Sequence, residues 1–162
     1  MIRKATIADL SAILDIYRSA RAFMAASGNP TQWGSTYPAP ELLEEDIHLG
    51  RLYVDTQGDL VCGVFMFTIG DDPTYAYIEE GAWLDNSAYG VIHRVASGGT
   101  VPGVLGRCIA FCRVQCPHLR IDTHADNHRM QRLLSASGFT RCGTIYVEDG
   151  SPRIAYEWLE AK

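Results

Sequence analysis

The amino-acid sequence predicts a single α/β domain, spanning residues 1–162, that is built on a mixed central sheet. Apolar runs and amphipathic segments follow one another in the order β-α-α-β-β-β-α-β-α-β-β. A glycine-rich loop joins a strand to a helix beyond the middle of the chain, and the last two strands form a hairpin. A chain of 162 residues is long enough to bury such a core without disulfides.

Each predicted element follows from its spacing and from the residues that start or stop it. Thr6 and Asp9 have the capping-box spacing of a helix start, and Gly28 stops that helix. Pro40 suits the first turn of a second helix, whose acidic residues up to Asp46 are predicted to lie mostly on its wet face. The predicted elements are strand 2–5, the helices from Thr6 and from about Pro40, strands 51–56, 60–69 (continued over 75–78) and 89–96, the helix from about Gly103, strand 119–123, the helix from Asp126 to Gly138, and strands 141–147 and 153–159.

The loop between strand 89–96 and the next helix has the composition of a phosphate-binding turn. It reads Ser-Gly-Gly-Thr-Val-Pro-Gly over 97–103. The first N–H groups of a helix lack an intrahelical acceptor, and the helix dipole adds partial positive charge there. Because glycine has no Cβ, a phosphate can approach this backbone closely. The sequence therefore predicts a diphosphate cradle over 97–105.

Two familiar nucleotide-binding motifs match this loop less well. A P-loop requires Gly-Lys-Ser/Thr at the helix start, and the loop contains no lysine. A Rossmann turn requires G-x-G-x-x-G; Gly103 and Gly106 supply the last pair, but Val101 occupies the position of the first glycine. Asp122 lies at the distance expected of a ribose-binding acid, so a Rossmann-like domain stays open as an alternative.

Thr100–Leu105 resembles the acyl-CoA signature Q/R-x-x-G-x-G/A of the GNAT superfamily of N-acetyltransferases. Gly103 keeps the first glycine of that signature, while Thr100 replaces the Gln/Arg and Leu105 replaces the second small residue. Downstream, strand 119–123, Asn127 at the head of a helix and the closing Gly138-Phe139 recur at the spacing of the family. The resemblance covers about residues 2–159. It implies the GNAT fold, with a mostly antiparallel central sheet flanked by helices, and acetyl transfer from acetyl-CoA to a primary amine by direct attack on the thioester.

The resemblance also assigns cofactor-binding residues. The strand before the cradle receives the pantetheine arm in such proteins, a task that falls here to the main chain of His93, Arg94 and Val95. Asn127 matches an asparagine that contacts the arm, and Met130 would flank it. For Asn127 an ordinary helix N-cap is an equally open role. The residues implied for the diphosphate are Gly98, Gly99, Thr100, Val101, Pro102, Gly103, Val104 and Leu105.

Acetyl transfer needs a base for an amine with a pKa near ~10.4 and a proton for a thiolate with a pKa of ~8.5. Many GNAT enzymes have a tyrosine that protonates the thiolate seven residues after the asparagine that Asn127 matches. This chain has Leu134 at that position. Several side chains are therefore candidates, each with a purely structural role as the alternative. The candidate acids are Tyr146 and Tyr89, and the candidate bases are His93, Glu80 with its neighbour Glu79, and His124. A base among the glutamates would need a raised pKa.

Three aromatic residues have two open roles, either lining the acceptor site or covering the sheet edge: Trp33, Tyr37 and Trp83. The acceptor class is a small-molecule or peptide amine, and a homodimer is possible by analogy with similar proteins. A non-catalytic acyl-CoA-binding sensor is the competing functional hypothesis. It is favoured by Leu134 and by the departures from the acyl-CoA signature at Thr100 and Leu105.

Composition and charge argue against several classes of partner, location and metal site. A net charge of −5 argues against nucleic acid as a partner. No apolar run approaches the ~20 residues of a membrane span, and the first residues lack the apolar region of a signal peptide, so we expect a cytoplasmic protein. Cys108, Cys112 and Cys116 form one helical stripe without a histidine at ligand spacing, which predicts core packing and no metal site.

Overall fold

The structure is a computed structural model and describes residues 1–161. Its elements follow the predicted order, which confirms the α/β assignment. The strands and helices are β1 (Ile2–Lys4), α1 (Leu10–Ala26), α2 (Pro40–His48), β2 (Leu52–Gln57), β3 (Leu60–Ile69), β4 (Gly90–Ser97), α3 (Val104–Gln115), β5 (His118–Thr123), α4 (His128–Ala136), β6 (Thr140–Tyr146) and β7 (Pro152–Leu159).

The seven strands form one sheet in the order β1-β2-β3-β4-β5-β7-β6. Strands β1 and β2, β2 and β3, β5 and β7, and β6 and β7 pair antiparallel, whereas β4 and β5 pair parallel. This mixed, mostly antiparallel sheet confirms the predicted fold class. It is not the doubly wound parallel sheet that the Rossmann alternative requires.

The chain divides into two compact units, and three elements run from one into the other. The first unit comprises Met1–Phe67 and His93–Phe111, and the second comprises Thr68–Ile92 and the chain from Cys112 onwards. The core of the first unit joins apolar side chains of α1, α2 and the strands: Ala5, Ile13, Ile16, Tyr17, Leu43, Leu52, Val54, Val64, Met66 and Ala96. The predicted capping box is present, since the Thr6 N–H donates to Asp9 Oδ2 at 2.8 Å.

Helix α3 packs closely on the sheet of the first unit. Gly63 lies directly under Val104, and a Cβ added to this glycine would stand 2.5 Å from Val104 Cγ1. Further along the helix, the ring of Phe111 lies 5.2 Å from that of Tyr53 and 6.0 Å from that of Phe65. These contacts fix where α3 begins, and therefore where the glycine-rich loop ends.

The second unit has its own apolar cluster, made of Tyr75, Tyr89, Val91, Ile145 and Ala155. The predicted strand continuation over 75–78 is wrong. Pro73–Tyr75 is instead a 3-10 turn, because Pro73 presets a turn and the Asp72 carboxylate accepts the Thr74 N–H at 2.9 Å. In the segment between this turn and β4, Glu79 forms an isolated antiparallel bridge with Thr144.

All five cysteines are free and buried, which confirms the core packing predicted for the stripe Cys108, Cys112 and Cys116. In residues 1–161, no helix is both long and apolar enough to cross a membrane.

Candidate functional site

The glycine-rich loop lies in the first unit, between β4 and α3, and its backbone is open. Gly98 is tied to β3 by donating its N–H to the Cys62 carbonyl at 2.9 Å. Gly99 and Gly103 have φ values of 83° and 84°, a left-handed conformation that favours glycine. A Cβ added to Gly99 or Gly106 would meet no atom within 4 Å. The backbone is therefore open at Gly99, whereas a Cβ added to Gly103 would come within 3.0 Å of Arg107 Nη1.

Helix α3 begins at this loop. The Arg107 N–H donates to the Gly103 carbonyl at 3.1 Å, which closes the first helical turn. By helix geometry, the N–H groups of Val104, Leu105 and Gly106 have no hydrogen-bond acceptor within the helix. Together with the helix dipole, they form a patch of partial positive charge beside a glycine loop, which suits an anion such as a diphosphate.

The side chain of Arg107 closes the loop from one side. Its Nη1 donates to the Pro102 carbonyl at 2.7 Å, and its Nε donates to Asp55 Oδ2 at 2.6 Å. The Asp55 carboxylate is buried and holds the pKa of Arg107 above its usual range. Sequence reasoning missed both residues, because Arg107 lies outside the signature and Asp55 is far away in the chain.

Strand β4 contains a strained residue in the segment predicted to receive the pantetheine arm. Arg94 has a φ of 54°, which is unusual for a non-glycine residue. Its carbonyl accepts the Tyr17 hydroxyl at 2.7 Å, and its guanidinium donates to the Asp46 carboxylate and to the Tyr37 hydroxyl at 3.3 Å. His93 and Val95, on either side, are half-buried.

Asp46 corrects one sequence prediction. Its carboxylate was expected on the wet face of α2, but it is fully buried and paired with Arg94 and Arg51. Two arginines on one carboxylate offset the cost of burying its charge. The surrounding acidic run gave no signal that separates this residue from its exposed neighbours.

The three aromatic candidates fall in different units. In the first unit, Trp33 packs against the core with its ring 5.5 Å from that of Tyr17, and Tyr37 is 41% exposed beside Arg94. In the second unit, Trp83 packs on Tyr75 and donates its indole N–H to the Tyr75 carbonyl at 2.9 Å. The structure thus places Tyr37 beside Arg94 of β4 and Trp33 against Tyr17 in the core of the same unit.

In the second unit, Asn127 is the N-cap of α4, as one of its two predicted roles requires. Its side-chain oxygen accepts the Met130 N–H at 3.1 Å. Leu134, where the family tyrosine would stand, is fully buried. The contact of Asn127 and Met130 with an acyl donor stays a prediction.

Tyr146 and Glu79 form a hydrogen-bonded pair in the second unit. The Tyr146 hydroxyl donates to one oxygen of Glu79, and the Tyr77 hydroxyl donates to the other at 2.8 Å. The bond from Tyr146, followed by that from Tyr77, holds the pKa of Glu79 below its usual range, while the same pairing raises the pKa of Tyr146. Glu79 therefore lacks the raised pKa that a carboxylate base would need. Glu80 has a φ of 59° and accepts the Thr144 hydroxyl at 3.3 Å.

The remaining candidates in this unit already make structural contacts. The Tyr89 hydroxyl accepts the Asp72 N–H at 2.9 Å, and its ring lies under the guanidinium of Arg120 at 4.0 Å. His124 Nδ1 accepts the Asp126 N–H at 3.0 Å, and burial lowers the pKa of this histidine.

Comparison with known proteins identifies the fold. No protein-family model and no curated protein matches the sequence. Among solved structures, a GNAT-family acetyltransferase from Streptococcus agalactiae 2603 is 28% identical over 100% of this chain and 96% of its own, with a TM-score of 0.87. A ribosomal-protein-alanine N-acetyltransferase from Brucella melitensis is 21% identical over 98% of this chain and 99% of its own, with a TM-score of 0.63.

A third structure, of a Salmonella typhimurium protein with its cofactor acetyl-CoA, is 19% identical over 100% of this chain and 94% of its own, with a TM-score of 0.62. The mostly antiparallel seven-stranded sheet and its flanking helices thus match the fold of GNAT acetyltransferases. The comparisons support assigning the chain to the GNAT superfamily, which confirms the resemblance seen in its sequence. The same likeness supports acyl transfer as the class of its activity.

Proposed function

We propose that this protein is an acetyl-CoA-dependent N-acetyltransferase that transfers an acetyl group to a primary amine. The observation that carries the proposal is the open glycine loop of residues 97–103 at the N-terminus of α3. A backbone anion site with this shape fits the diphosphate of a CoA thioester. The acetyl-CoA bound by the Salmonella neighbour supports the same choice of donor.

The proposed donor-binding residues belong to three segments. Main-chain groups of Gly98–Leu105 would hold the diphosphate, those of His93, Arg94 and Val95 would hold the pantetheine arm, and Asn127 with Met130 would flank it. The left-handed backbone at Arg94 supports the second assignment, because it interrupts the regular extended strand at this position. A main-chain N–H there would polarise the thioester carbonyl.

The proposed reaction forms one bond and breaks one. The neutral amine nitrogen attacks the thioester carbon and forms the C–N bond, and the C–S bond breaks. The nitrogen, which is cationic after the attack, loses a proton to the base, and the thiolate takes up a proton. We assign the donation of that proton to Tyr146, whose hydroxyl is held in place by its hydrogen bond to Glu79. His93 is the proposed base, with Glu80 as the alternative base and Tyr89 as the alternative acid.

The acceptor is proposed as a class, a small-molecule or peptide amine, and Trp33 and Tyr37 are its proposed contacts in the first unit. A protein N-terminus belongs in the acceptor panel because the Brucella neighbour is a ribosomal-protein-alanine N-acetyltransferase. The second candidate function is a non-catalytic acyl-CoA sensor. It is favoured by Leu134, which is fully buried and cannot protonate a thiolate.

Thermal shift with acetyl-CoA, CoA and NAD, followed by thiol release against a panel of amines, separates these functions. We expect stabilisation by both CoA compounds and turnover with at least one amine. Stabilisation without turnover would favour the sensor, and stabilisation by NAD alone would contradict both.

The substitution Gly103→Glu tests the cradle directly. It places a carboxylate where the diphosphate is proposed to bind, so CoA affinity should fall by roughly a hundredfold or more. Gly150→Glu, in the β6–β7 turn, is the control for backbone strain, because Gly150 has nearly the same φ as Gly103, 83° against 84°. Equal CoA affinity in both variants would contradict the cradle assignment.

A further inference from the structure

The guanidinium of Arg107 joins the glycine loop to the sheet. It lies in the first turn of α3 and donates in two directions, to the Pro102 carbonyl in the loop and to the Asp55 carboxylate in β2. A Cβ added to Gly103 would come within 3.0 Å of Arg107 Nη1, so the backbone of Gly103 lies close to the guanidinium. The Pro102 carbonyl and Gly103, at the end of the loop, therefore both lie against the Arg107 side chain.

The Asp55 end of this link is rigid. The side chain of Asp55 is 3% exposed, and the register of the β2–β3 pair shifts directly after it, between Asp55 and Thr56. A bulge of this kind re-aims the side chain next to it. Bonds between a guanidinium and a carboxylate are charge-assisted and stronger than neutral ones, so Asp55 fixes the orientation of Arg107.

Arginine suits this pair of bonds better than lysine does. Its planar fork presents donors in fixed, divergent directions, whereas the ammonium of lysine is a point charge on a flexible stem. Two of the guanidinium donors are engaged by the protein, which points to a role in shaping the loop. The signature position that usually carries Gln or Arg is Thr100 in this chain, so the loop lacks the long side chain found there in the family.

We propose that Arg107, oriented by Asp55, is a positioning residue that holds the loop of residues 97–103 in the shape that binds the diphosphate of the acyl donor. This inference rests on the proposed function. Preorganised amides bind an anion more tightly because less freedom is lost on binding. The effect is confined to the diphosphate, so a donor without one should not sense Arg107.

The test compares two acyl donors in the variants Arg107→Lys and Asp55→Asn. Acetyl-CoA carries the diphosphate, and S-acetylpantetheine has the same thioester without it. We expect Arg107→Lys to raise the KM for acetyl-CoA roughly tenfold with kcat unchanged, and to leave kcat/KM for S-acetylpantetheine as in wild type. Asp55→Asn should shift the same ratio in the same direction. Arg18→Lys is the control, because Arg18 makes an exposed ion pair with Asp15 in the same unit.

The ratio of the two donors within one variant does not depend on how much of the sample is folded. An equal loss with both donors would show that Arg107 merely stabilises the fold and would overturn the inference. So would an unchanged ratio in Arg107→Lys.

Calorimetric titration with CoA separates this inference from the proposed function. Wild type that binds CoA without turning over any amine would refute catalysis, and the inference would then be judged on CoA affinity against that of pantetheine. Wild type that binds no CoA would refute both.

Discussion

Replacing Gly63 by alanine should destabilise the first unit, because α3 begins directly against this glycine. The added Cβ would stand 2.5 Å from Val104 Cγ1 and 3.0 Å from Val104 Cγ2. Carbon atoms prefer separations of about 3.5–4.0 Å, so the helix or the strand must shift by roughly 1 Å. Overpacking of this kind costs about 1–3 kcal/mol. Urea unfolding of the wild type and Gly63→Ala measures the difference.

A double-mutant cycle decides whether the clash with Val104 is the cause. Val104→Ala removes both methyl groups at a cost of about 1.6 kcal/mol, plus the cavity term. In that background, Gly63→Ala should cost less than about 0.5 kcal/mol, because the methyl groups it would meet are gone. If Gly63→Ala cost the same in both backgrounds, the argument from close packing of α3 on β3 would be refuted.

Three further results are expected. Asp9→Asn should remove an acid-sensitive part of the stability: hydrogen bonds from Arg3 lower the pKa of Asp9 to about 2 from 3.8, so this contribution is full above pH 3.8 and lost as the pH falls through about 2. Acid titration of the two proteins by circular dichroism should therefore differ most above that window, and parallel curves would contradict the assignment. Arg94→Gly should be more stable than Arg94→Ala by about 1 kcal/mol, because both lose the side chain and only glycine accepts a φ of 54° freely; the reverse order, normal within a strand, would show that the left-handed backbone is not retained. The five cysteines should react with a disulfide reagent only after unfolding, since all are buried and burial raises the pKa of Cys142 to about 11, and rapid labelling of native protein would contradict this.

The sequence was most informative where structure depends on neighbouring residues. The capping box at Thr6, the glycine loop, the N-cap at Asn127 and the buried stripe of α3 are set by residues within a few positions of each other, and each was predicted correctly. The one wrong strand, 75–78, also has a local cause that was overlooked, since Pro73 and Asp72 together favour a tight turn.

Predictions about individual charged side chains were less successful. Asp46 was expected in water but is fully buried, and Glu79, a candidate base, lacks the raised pKa that this role needs. In both cases the carboxylate was judged by its place in a local pattern, although one of its partners lies far away in the chain. Arg94 and Asp46 are 48 residues apart, and Tyr146 and Glu79 are 67 apart. No periodicity in a single sequence reports such pairs.

Local residue patterns were sufficient to predict the order of the elements, the glycine-rich turn at the start of α3 and the resemblance to GNAT acetyltransferases. These features are written in local backbone preferences, which act over one or two turns of chain. The partner of each buried carboxylate became known only from the three-dimensional structure, in which Arg107 forms an ion pair with Asp55 and Arg94 forms one with Asp46. The physical reason is that the free energy of a buried ion pair depends on burial and distance between residues that meet only when the sheet has formed.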